Sequence, residues 1–350
     1  ARDVLIEAIG RAAAAWSDPE HPARAAAVDR TLDLDNRFTL EAITFAINQQ
    51  MDATQPEALE SWLDGRTSPR PRTVGVLNAG NVPFVELQDF LAVVLLRHTY
   101  RGVLSSRSPH LLPAFVEEIR SNGGAMDVAF RTVDEVFAEA EAIIATGTDE
   151  TRDRVAALCD EAGILEPNRL LRGNRYAVAV MTGSETEDDL EFLAEDALLH
   201  EGLGCRNVAI VCAPSGTSPD PLLEAFANFR GVFPAHPSTP GTLTMPKAFL
   251  EAVGNPHAFG EGLEFLLSKG EPEVQQPAHV RWSEYESLDE VNSWLRTHAE
   301  EIQLVVGREE ILAQLPESLP REALGRAQRP AISWCADGRD VIDFLVSLAD

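Results

Sequence analysis

The chain has 350 residues, of which 45% are hydrophobic, and this length and composition favour two domains with sizeable cores. The formal charge of −27 argues against nucleic acid as a partner. No apolar run approaches the roughly 18 residues that span a bilayer, and the sequence does not start with a signal-peptide pattern, so we expect a cytoplasmic protein without a membrane span. The four cysteines, Cys159, Cys205, Cys212 and Cys335, lack metal-ligand spacing and are too few for a disulfide framework, so no metal site is predicted.

The first 70 residues predict helices. Apolar residues keep helical spacing from Val4 to Trp16, Thr39 is a suitable N-cap for a second helix, and Pro56 to Leu63 predicts a third. The stretch 64–72, rich in proline and arginine, marks the clearest boundary in the first half of the chain.

Strands and helices alternate in the next 90 residues. The predicted strands are 73–77, 101–105, 128–132 and 142–145, and the predicted helices are 84–98, 109–121, 133–141 and 149–162. This alternation predicts a parallel α/β sheet, whose ligand crevice lies at the carboxyl ends of its strands. Three turns fall at those ends, at 78–83, 105–108 and 146–149.

A second α/β region begins with a predicted strand at 176–180. An acidic amphipathic helix from Thr186 to His200 and a buried strand from Asn207 to Pro214 follow it. A Pro/Gly-rich stretch spans 213–245, and a later helix from Leu288 precedes a strand at 303–306. The predicted apolar face of that helix comprises Val291, Trp294, Leu295, His298 and Ile302.

Cys205 lies between the acidic helix and the buried strand, in the sequence Gly202-Leu203-Gly204-Cys205-Arg206. Glycines lack a Cβ and let the backbone approach a ligand closely. A nucleophilic thiolate needs such a placement, fixed by rigid elements yet reachable by a carbonyl carbon. The alternative is a buried structural cysteine, the commoner role of cysteines in general.

Several motifs together resemble one enzyme family. They are Val74–Pro83, Ile144–Thr148, Gly173–Val180, Gly202–Val208, Ser287–Glu290, and Gln328–Pro330 with Asp337-Gly338 and Phe344-Leu345. They are similar to motifs of the aldehyde dehydrogenase superfamily, and more closely of its LuxC-like acyl-CoA reductase branch. The resemblance implies an α/β, aldehyde dehydrogenase-like fold with a Rossmann-type cofactor domain and an α/β catalytic domain. The expected domains are residues 1–173 with the N-terminal helices and the cofactor site, 174–330 with the catalytic cysteine, and a C-terminal segment 331–350.

The resemblance also implies a reaction. Cys205 would attack the thioester carbonyl of an acyl-CoA, and the Asn81 amide with the Cys205 backbone N–H would stabilise the oxyanion. One such donor is typically worth ~3–4 kcal/mol of barrier. CoA would leave, and hydride from a reduced nicotinamide would release the acyl group as an aldehyde. Without the family, Asn81 before Val82-Pro83 is typical of an Asx turn.

A departure from the family bears on the fate of the acyl group. Hydrolytic members carry a glutamate at the position of Leu171, which lies 34 residues before Cys205. Without this general base, attack of water on an acyl-enzyme should be slow. His200 could activate the thiol, although packing at the helix end is the favoured role.

The family's cofactor contacts fall on two of the turns and on one acidic residue. Where NAD-using members hold the ribose with a glutamate, this chain has Ser105, Ser106 and Arg107, which favour the 2′-phosphate of NADPH. Thr146, Gly147 and Thr148 at a helix N-terminus would neighbour the pyrophosphate, and Glu273 resembles the glutamate that binds the nicotinamide ribose.

These cofactor assignments have alternatives in the sequence itself. The serine run before Pro109 also suits a helix N-cap, and Glu273 also suits a solvated surface position. Val103 replaces the lysine that the family usually places on the adenosine ribose.

The sequence thus predicts an NADPH-dependent acyl-CoA reductase that uses an acyl-CoA, releases CoA and forms a homo-oligomer, expected to be a dimer. Two alternatives stay open. One is a CoA-acylating aldehyde dehydrogenase for short aldehydes, using the same thiol in reverse. The other is a non-catalytic binding subunit of the same fold, suggested by Val103 and the acidic surface.

Overall fold

The computed structural model describes residues 2–349, which divide into two compact units. The first unit contains residues up to 174 and those from 331 on, and the second contains 175–330. Each unit has its own largely parallel sheet with helices packed against it, so the predicted α/β class is confirmed.

The first unit opens with four helices and continues as a five-stranded sheet. Its elements are α1 (Arg2–Trp16), α2 (Pro22–Leu32), α3 (Leu40–Ala53), α4 (Pro56–Leu63), β1 (Thr73–Leu77), α5 (Leu87–Leu95), β2 (Thr99–Val103), α6 (Leu111–Ser121), β3 (Val128–Phe130), α7 (Val133–Glu139), β4 (Ala142–Thr146), α8 (Asp149–Ala162) and β5 (Arg169–Arg172). The three predicted N-terminal helices are confirmed as α1, α3 and α4. The helix α2 and the strand β5 were not predicted.

The strand order of this sheet is β3-β2-β1-β4-β5, and every pair is parallel. In the central strand β1, the last residue Leu77 pairs with Val103 of β2 and with Ala145 of β4. The carboxyl ends of these three strands therefore lie at one edge of the sheet. The loops that follow them begin at that edge, as the alternation predicted.

Several predicted boundaries in this unit are wrong, and two of them bear on the predicted cofactor residues. The second strand ends at Val103 instead of residue 105, so Ser105 lies in a loop. The helix after it begins at Leu111 instead of Pro109, and its N-cap residue His110 makes no side-chain cap. The run 105–108 is therefore a turn, closed by the Ser108 N–H donating to the Ser105 carbonyl at 3.1 Å, and the N-cap interpretation of these serines is wrong.

The second unit contains a seven-stranded sheet. Its elements are β6 (Tyr176–Val180), α9 (Glu187–Leu198), β7 (Val208–Pro214), α10 (Asp220–Val232), α11 (Thr239–Val253), β8 (His257–Phe259), β9 (Leu266–Lys269), β10 (His279–Tyr285), α12 (Leu288–Thr297), β11 (Ile302–Gly307), α13 (Glu309–Leu312) and β12 (Arg321–Ala323). The strand order is β12-β11-β6-β7-β10-β9-β8, and only the pair β8–β9 is antiparallel among the described strands.

The sequence missed several elements of this unit. The Pro/Gly-rich stretch contains α10 and the first seven residues of α11, and β10 was also not predicted. Ile302, expected on the face of the helix from Leu288, is instead the first residue of β11, because α12 ends at Thr297.

The chain then returns to the first unit through α14 (Val341–Val346). Ile342 and Leu345 of this helix belong to the first unit's hydrophobic core. Arg66 binds the N-cap residue Asp340 at 2.9 Å and Asp343 within the helix at 2.5 Å. The C-terminal segment is therefore a packed part of the first unit.

None of the helices within residues 2–349 combines the length and apolar composition needed to cross a bilayer.

Candidate active site

The loop that carries Cys205 begins with an unusual backbone path. After α9 ends, His200, Glu201 and Gly202 have φ values of 55°, 57° and 69°, so three successive residues are left-handed. For residues other than glycine this conformation costs energy and persists only where the surroundings enforce it. At Gly202 a Cβ would also come within 2.8 Å of the Ala278 backbone nitrogen, so a glycine is required there.

A buried ion pair holds this path in place. The Glu201 carboxylate lies 2.9 Å from Nη1 of Arg230 in α10, and it accepts a hydrogen bond from the Thr239 hydroxyl at the start of α11. All three residues are buried. The two helices that the sequence missed therefore supply the groups that neutralise Glu201.

Asn207 connects the loop to the end of α9. Its Nδ2 donates to the Leu199 carbonyl at 2.8 Å and to the Asp196 carbonyl at 3.1 Å. Its Oδ1 accepts from the Gly204 backbone N–H at 2.8 Å. A single buried side chain thus satisfies carbonyls at the helix end and fixes the residue before Cys205.

Cys205 itself is half-buried in a turn directly before β7. Nε2 of Gln303 in β11 lies 3.5 Å from its Sγ and donates a hydrogen bond. The neighbouring guanidinium of Arg206 interacts electrostatically with Cys205, and a nearby cation favours a thiolate.

The other cysteines have different surroundings. Cys159 and Cys212 are buried, and burial raises the pKa of Cys212 to about 12. Cys335 is half-buried, and burial also raises its pKa. These environments keep the three thiols protonated at neutral pH.

The C-terminal motif of the second unit fixes the residue after the cysteine. The Arg206 guanidinium donates to the carbonyls of Ala327 and Arg326, the latter at 3.2 Å. Nε2 of Gln328 donates to the carbonyls of Arg206 and Asp196, both at 3.2 Å. The motif Gln328–Pro330 therefore belongs to the support of the cysteine loop, a role that the sequence did not reveal.

His200 is poorly suited to activate a thiol. It is buried, and desolvation lowers its pKa to about 3. A base this weak takes few protons from a thiol, so the structure favours the packing role for His200.

The predicted cofactor residues of the first unit lie at the carboxyl edge of its sheet. Asn81 is half-buried in the turn after β1, while Ser106 and Arg107 are exposed in the loop after β2. The two loops pack closely, because a Cβ on Gly80 would collide with the Ser105 side chain. The Ser105 hydroxyl accepts the Arg107 N–H at 3.3 Å and shapes the turn.

The turn after β4 joins the same edge. Thr146 ends β4, the Gly147 N–H donates to the Arg172 carbonyl at 3.2 Å, and Thr148 caps α8. The start of α8 thus suits a phosphate, although Asp149 and Glu150 in its first turn oppose one. Arg152, at 3.2 Å from Asp149, offsets part of that negative charge.

Two further positions singled out in the sequence are Leu171 and Glu273. Leu171 is half-buried in β5 and packs against an apolar cluster, so no carboxylate stands there. Glu273 lies in an exposed loop between β9 and β10, where it interacts with the charge of Arg281. This exposure suits a solvated acidic residue.

Within residues 2–349, His, Cys, Asp and Glu side chains form no group of three that could hold a metal ion.

The architecture of the chain is that of the aldehyde dehydrogenases. No family model matches the sequence, and no curated protein matches it. The similar solved structures include an NAD-dependent benzaldehyde dehydrogenase from Corynebacterium glutamicum, with a TM-score of 0.69 and 14% identity over 99% of this chain and 83% of that one. A Mycobacterium tuberculosis aldehyde dehydrogenase complexed with NAD+ has a TM-score of 0.68 and 13% identity over 92% of this chain and 76% of that one.

A third similar structure holds the other nicotinamide cofactor. It is a succinic semialdehyde dehydrogenase from Streptococcus pyogenes in complex with NADP+, with a TM-score of 0.65 and 13% identity over 91% of this chain and 81% of that one. At these identities the comparisons show the aldehyde dehydrogenase fold, and they leave the reaction of this chain to its own residues.

Proposed function

We propose that the protein is an NADPH-dependent acyl-CoA reductase that converts an acyl-CoA to an aldehyde through an acyl group on Cys205. The observation that carries the proposal is the environment of this sulfur. Cys205 is half-buried on a loop fixed by a buried ion pair, with a buried amide donor and a guanidinium close to the thiol. Such surroundings are typical of a reactive cysteine.

The proposed reaction has two stages at the carbonyl carbon of the acyl group, which are transfer to Cys205 and reduction by hydride. The Cys205 thiolate forms a bond to the thioester carbonyl, and by the resemblance to the reductase branch the Asn81 amide and the Cys205 backbone N–H would stabilise the oxyanion. The carbon–sulfur bond to CoA then breaks, and CoA leaves as a thiolate that takes a proton from solvent. When bound, NADPH supplies the hydride that reduces the acyl group. The carbon–sulfur bond to Cys205 finally breaks, which frees the aldehyde and restores the thiolate.

The lack of a base at Leu171 supports reduction over hydrolysis. The residue is apolar and packs with other apolar side chains, so it cannot deprotonate a water molecule for attack on the acyl group. An acyl-cysteine that resists water persists until hydride or CoA reaches it.

The loops at the carboxyl edge of the first sheet fit a dinucleotide. Ser105, Ser106 and Arg107 would hold the adenosine ribose and its 2′-phosphate, since no carboxylate occupies the loop and Arg107 is exposed. Thr146, Gly147 and Thr148 would hold the pyrophosphate at the start of α8. Glu273 would contact the nicotinamide ribose.

The proposed enzyme is a homodimer, as its resemblance to the reductase branch implies, in the reducing cytoplasm that its four sparse cysteines favour. Sedimentation velocity of the purified chain would measure a mass near twice 38.2 kDa if it is a dimer.

Intact mass spectrometry after incubation with a long-chain acyl-CoA and no nucleotide tests the central step. We expect one acyl adduct, on Cys205 by peptide mapping, and its loss as aldehyde when NADPH is added. Cys205→Ala should lose both the adduct and the NADPH oxidation, whereas the matched variant Cys335→Ala should keep them. An adduct of undiminished yield on Cys205→Ala would contradict the assignment, and faster turnover with NADH would contradict the cofactor.

A further inference from the structure

Gln303 is a polar residue inside an otherwise apolar strand. Its neighbours in β11 are Ile302, Leu304, Val305 and Val306, and all five residues are buried, Gln303 with 2% of its surface exposed. A buried amide costs free energy unless its polar atoms are hydrogen-bonded. The bond from Nε2 to Cys205 Sγ is one such partner.

A β-bulge turns this side chain towards the cysteine. The pairing of β11 with β6 passes from Ile302–Tyr176 directly to Leu304–Ala177, which leaves Gln303 as the extra residue. Accordingly, Ile302 and Leu304 pack in different hydrophobic clusters, although two residues that are two apart in a regular strand share a face. Bulges of this kind re-aim side chains and occur often beside active sites.

A second bulge lies on the other side of β6, where that strand pairs with β7. The pairing of β6 with β7 passes from Ala177–Val208 to Val178–Ile210, so Ala209 is the extra residue there. Both irregularities therefore meet β6 at Ala177, at the end where the Cys205 loop enters the sheet. The sheet departs from regular pairing at the level of the candidate nucleophile, on both sides of one strand.

We propose that Gln303 is a positioning residue, whose amide N–H holds the Cys205 sulfur in place and stabilises it as a thiolate. The sulfur carries negative charge before it attacks and again when a product leaves, whereas an acylated sulfur is a weak acceptor. The hydrogen bond from the amide therefore stabilises the thiolate before attack and after product release, the two states in which the sulfur carries no acyl group. The catalytic meaning of this role rests on the proposed function, but the contact with the sulfur does not.

Alkylation of Cys205 by iodoacetamide measures the role without any substrate. The rate is followed by peptide mass spectrometry between pH 6 and pH 10 in the wild type and in Gln303→Met, which has a similar volume and no donor. Because a hydrogen bond to a charged group is strong, its loss in Gln303→Met should slow the alkylation of Cys205 about tenfold at pH 7. The rates should converge at high pH, where every accessible thiol is ionised. Gln314→Met, which removes an exposed amide in the same unit, should alkylate like the wild type.

A second variant keeps the test decisive if Gln303→Met does not fold. Gln303→Glu keeps the shape and places a carboxylate beside the sulfur, which opposes the thiolate, so at pH 8 this variant should be alkylated more slowly than Gln303→Met. A rate equal to that of the wild type at pH 7 in a folded Gln303 variant would overturn the proposal. So would an equal loss of rate at every pH, which a purely structural role would produce. If Gln303 controls alkylation and no acyl adduct forms from acyl-CoA, the positioning role stands and the proposed reaction fails.

Discussion

Glu201 and Arg230 form a buried ion pair beneath the left-handed loop before Cys205. Their side chains are 4% and 2% exposed and lie 2.9 Å apart. Removing one partner leaves an uncompensated buried charge, which typically costs about 3–5 kcal/mol. We therefore expect Arg230→Met to lower the free energy of unfolding by that amount in urea denaturation, and to slow alkylation of Cys205 because the loop loses its support.

The double variant Glu201→Gln/Arg230→Met should recover part of the lost stability, because it removes both charges. Arg296→Met, at an exposed position of α12, provides the matched control and should stay within about 0.5 kcal/mol of the wild type. A loss from Arg230→Met as small as that of the control would show that the pair does not support the loop.

Glu86 makes the stability of the first unit depend on pH. It is fully buried before α5, and desolvation raises its pKa from 4.5 to about 8. Between these values the unfolded chain has lost the proton while the folded protein keeps it. Stability therefore falls as the pH rises from 4.5 to about 8, by at most about 1.4 kcal/mol per pH unit, and the penalty is constant above that range.

Glu86→Gln removes this titration without removing the side-chain volume. Urea denaturation should find the variant more stable than the wild type at pH 8.5, by an amount that shrinks towards pH 4.5. Glu161→Gln, an exposed substitution in α8, should follow the wild type at each pH. A constant difference between Glu86→Gln and the wild type across the range would show that Glu86 does not titrate on unfolding.

At the scale of elements, the sequence predicted those that carry their own start signals. Thr39, Thr148 and Thr186 each cap the helix that follows, with a side chain accepting from a backbone N–H. The strands β1 and β6 have the predicted bounds, because each is a short apolar run between polar turns. Local chemistry was sufficient for these elements.

The missed helices show where local signals mislead. Both α10 and α11 begin with a proline in the first turn, a position where its missing N–H costs nothing, and α11 also contains Pro246. The abundance of proline and glycine in this stretch predicts no helix. Because Arg230 and Thr239 lie on these helices, the ion pair that fixes the cysteine loop was missed with them.

The candidate site was predictable only in the sequence motifs that carry it and not in its contacts. The motif around Cys205 and the motif at Gln328 are visible in the sequence, but the hydrogen bond that joins them is not. Gln303 gave no signal at all, since a bulge depends on how two distant strands pair. The supporting contacts of a site arise from pairings between residues far apart in the chain.

At the scale of the whole molecule, the charge of −27 should limit stability at low ionic strength. The folded state confines these charges, so their mutual repulsion favours unfolding. The Debye length falls from about 30 Å at 0.01 M salt to about 8 Å at 0.15 M, so most of the repulsion is screened within that range. We expect the free energy of unfolding at pH 7 to rise over this interval by on the order of 1 kcal/mol, the size of a few surface interactions.

Urea denaturation in 0.01, 0.05, 0.15 and 0.5 M NaCl measures this effect, and the sequence supplies its own control. At pH 4.6, near the isoelectric point, the net charge vanishes and the same salt series should leave stability almost unchanged. A neutral osmolyte such as glycerol, matched in osmolality, should not reproduce the salt effect at pH 7. Equal salt responses at the two pH values would mean that a specific ion site, and not the overall field, responds to sodium chloride. Stability that is flat in salt at pH 7 would instead show that the 29 basic residues already neutralise their acidic neighbours locally, so that the excess charge lies too far apart to matter.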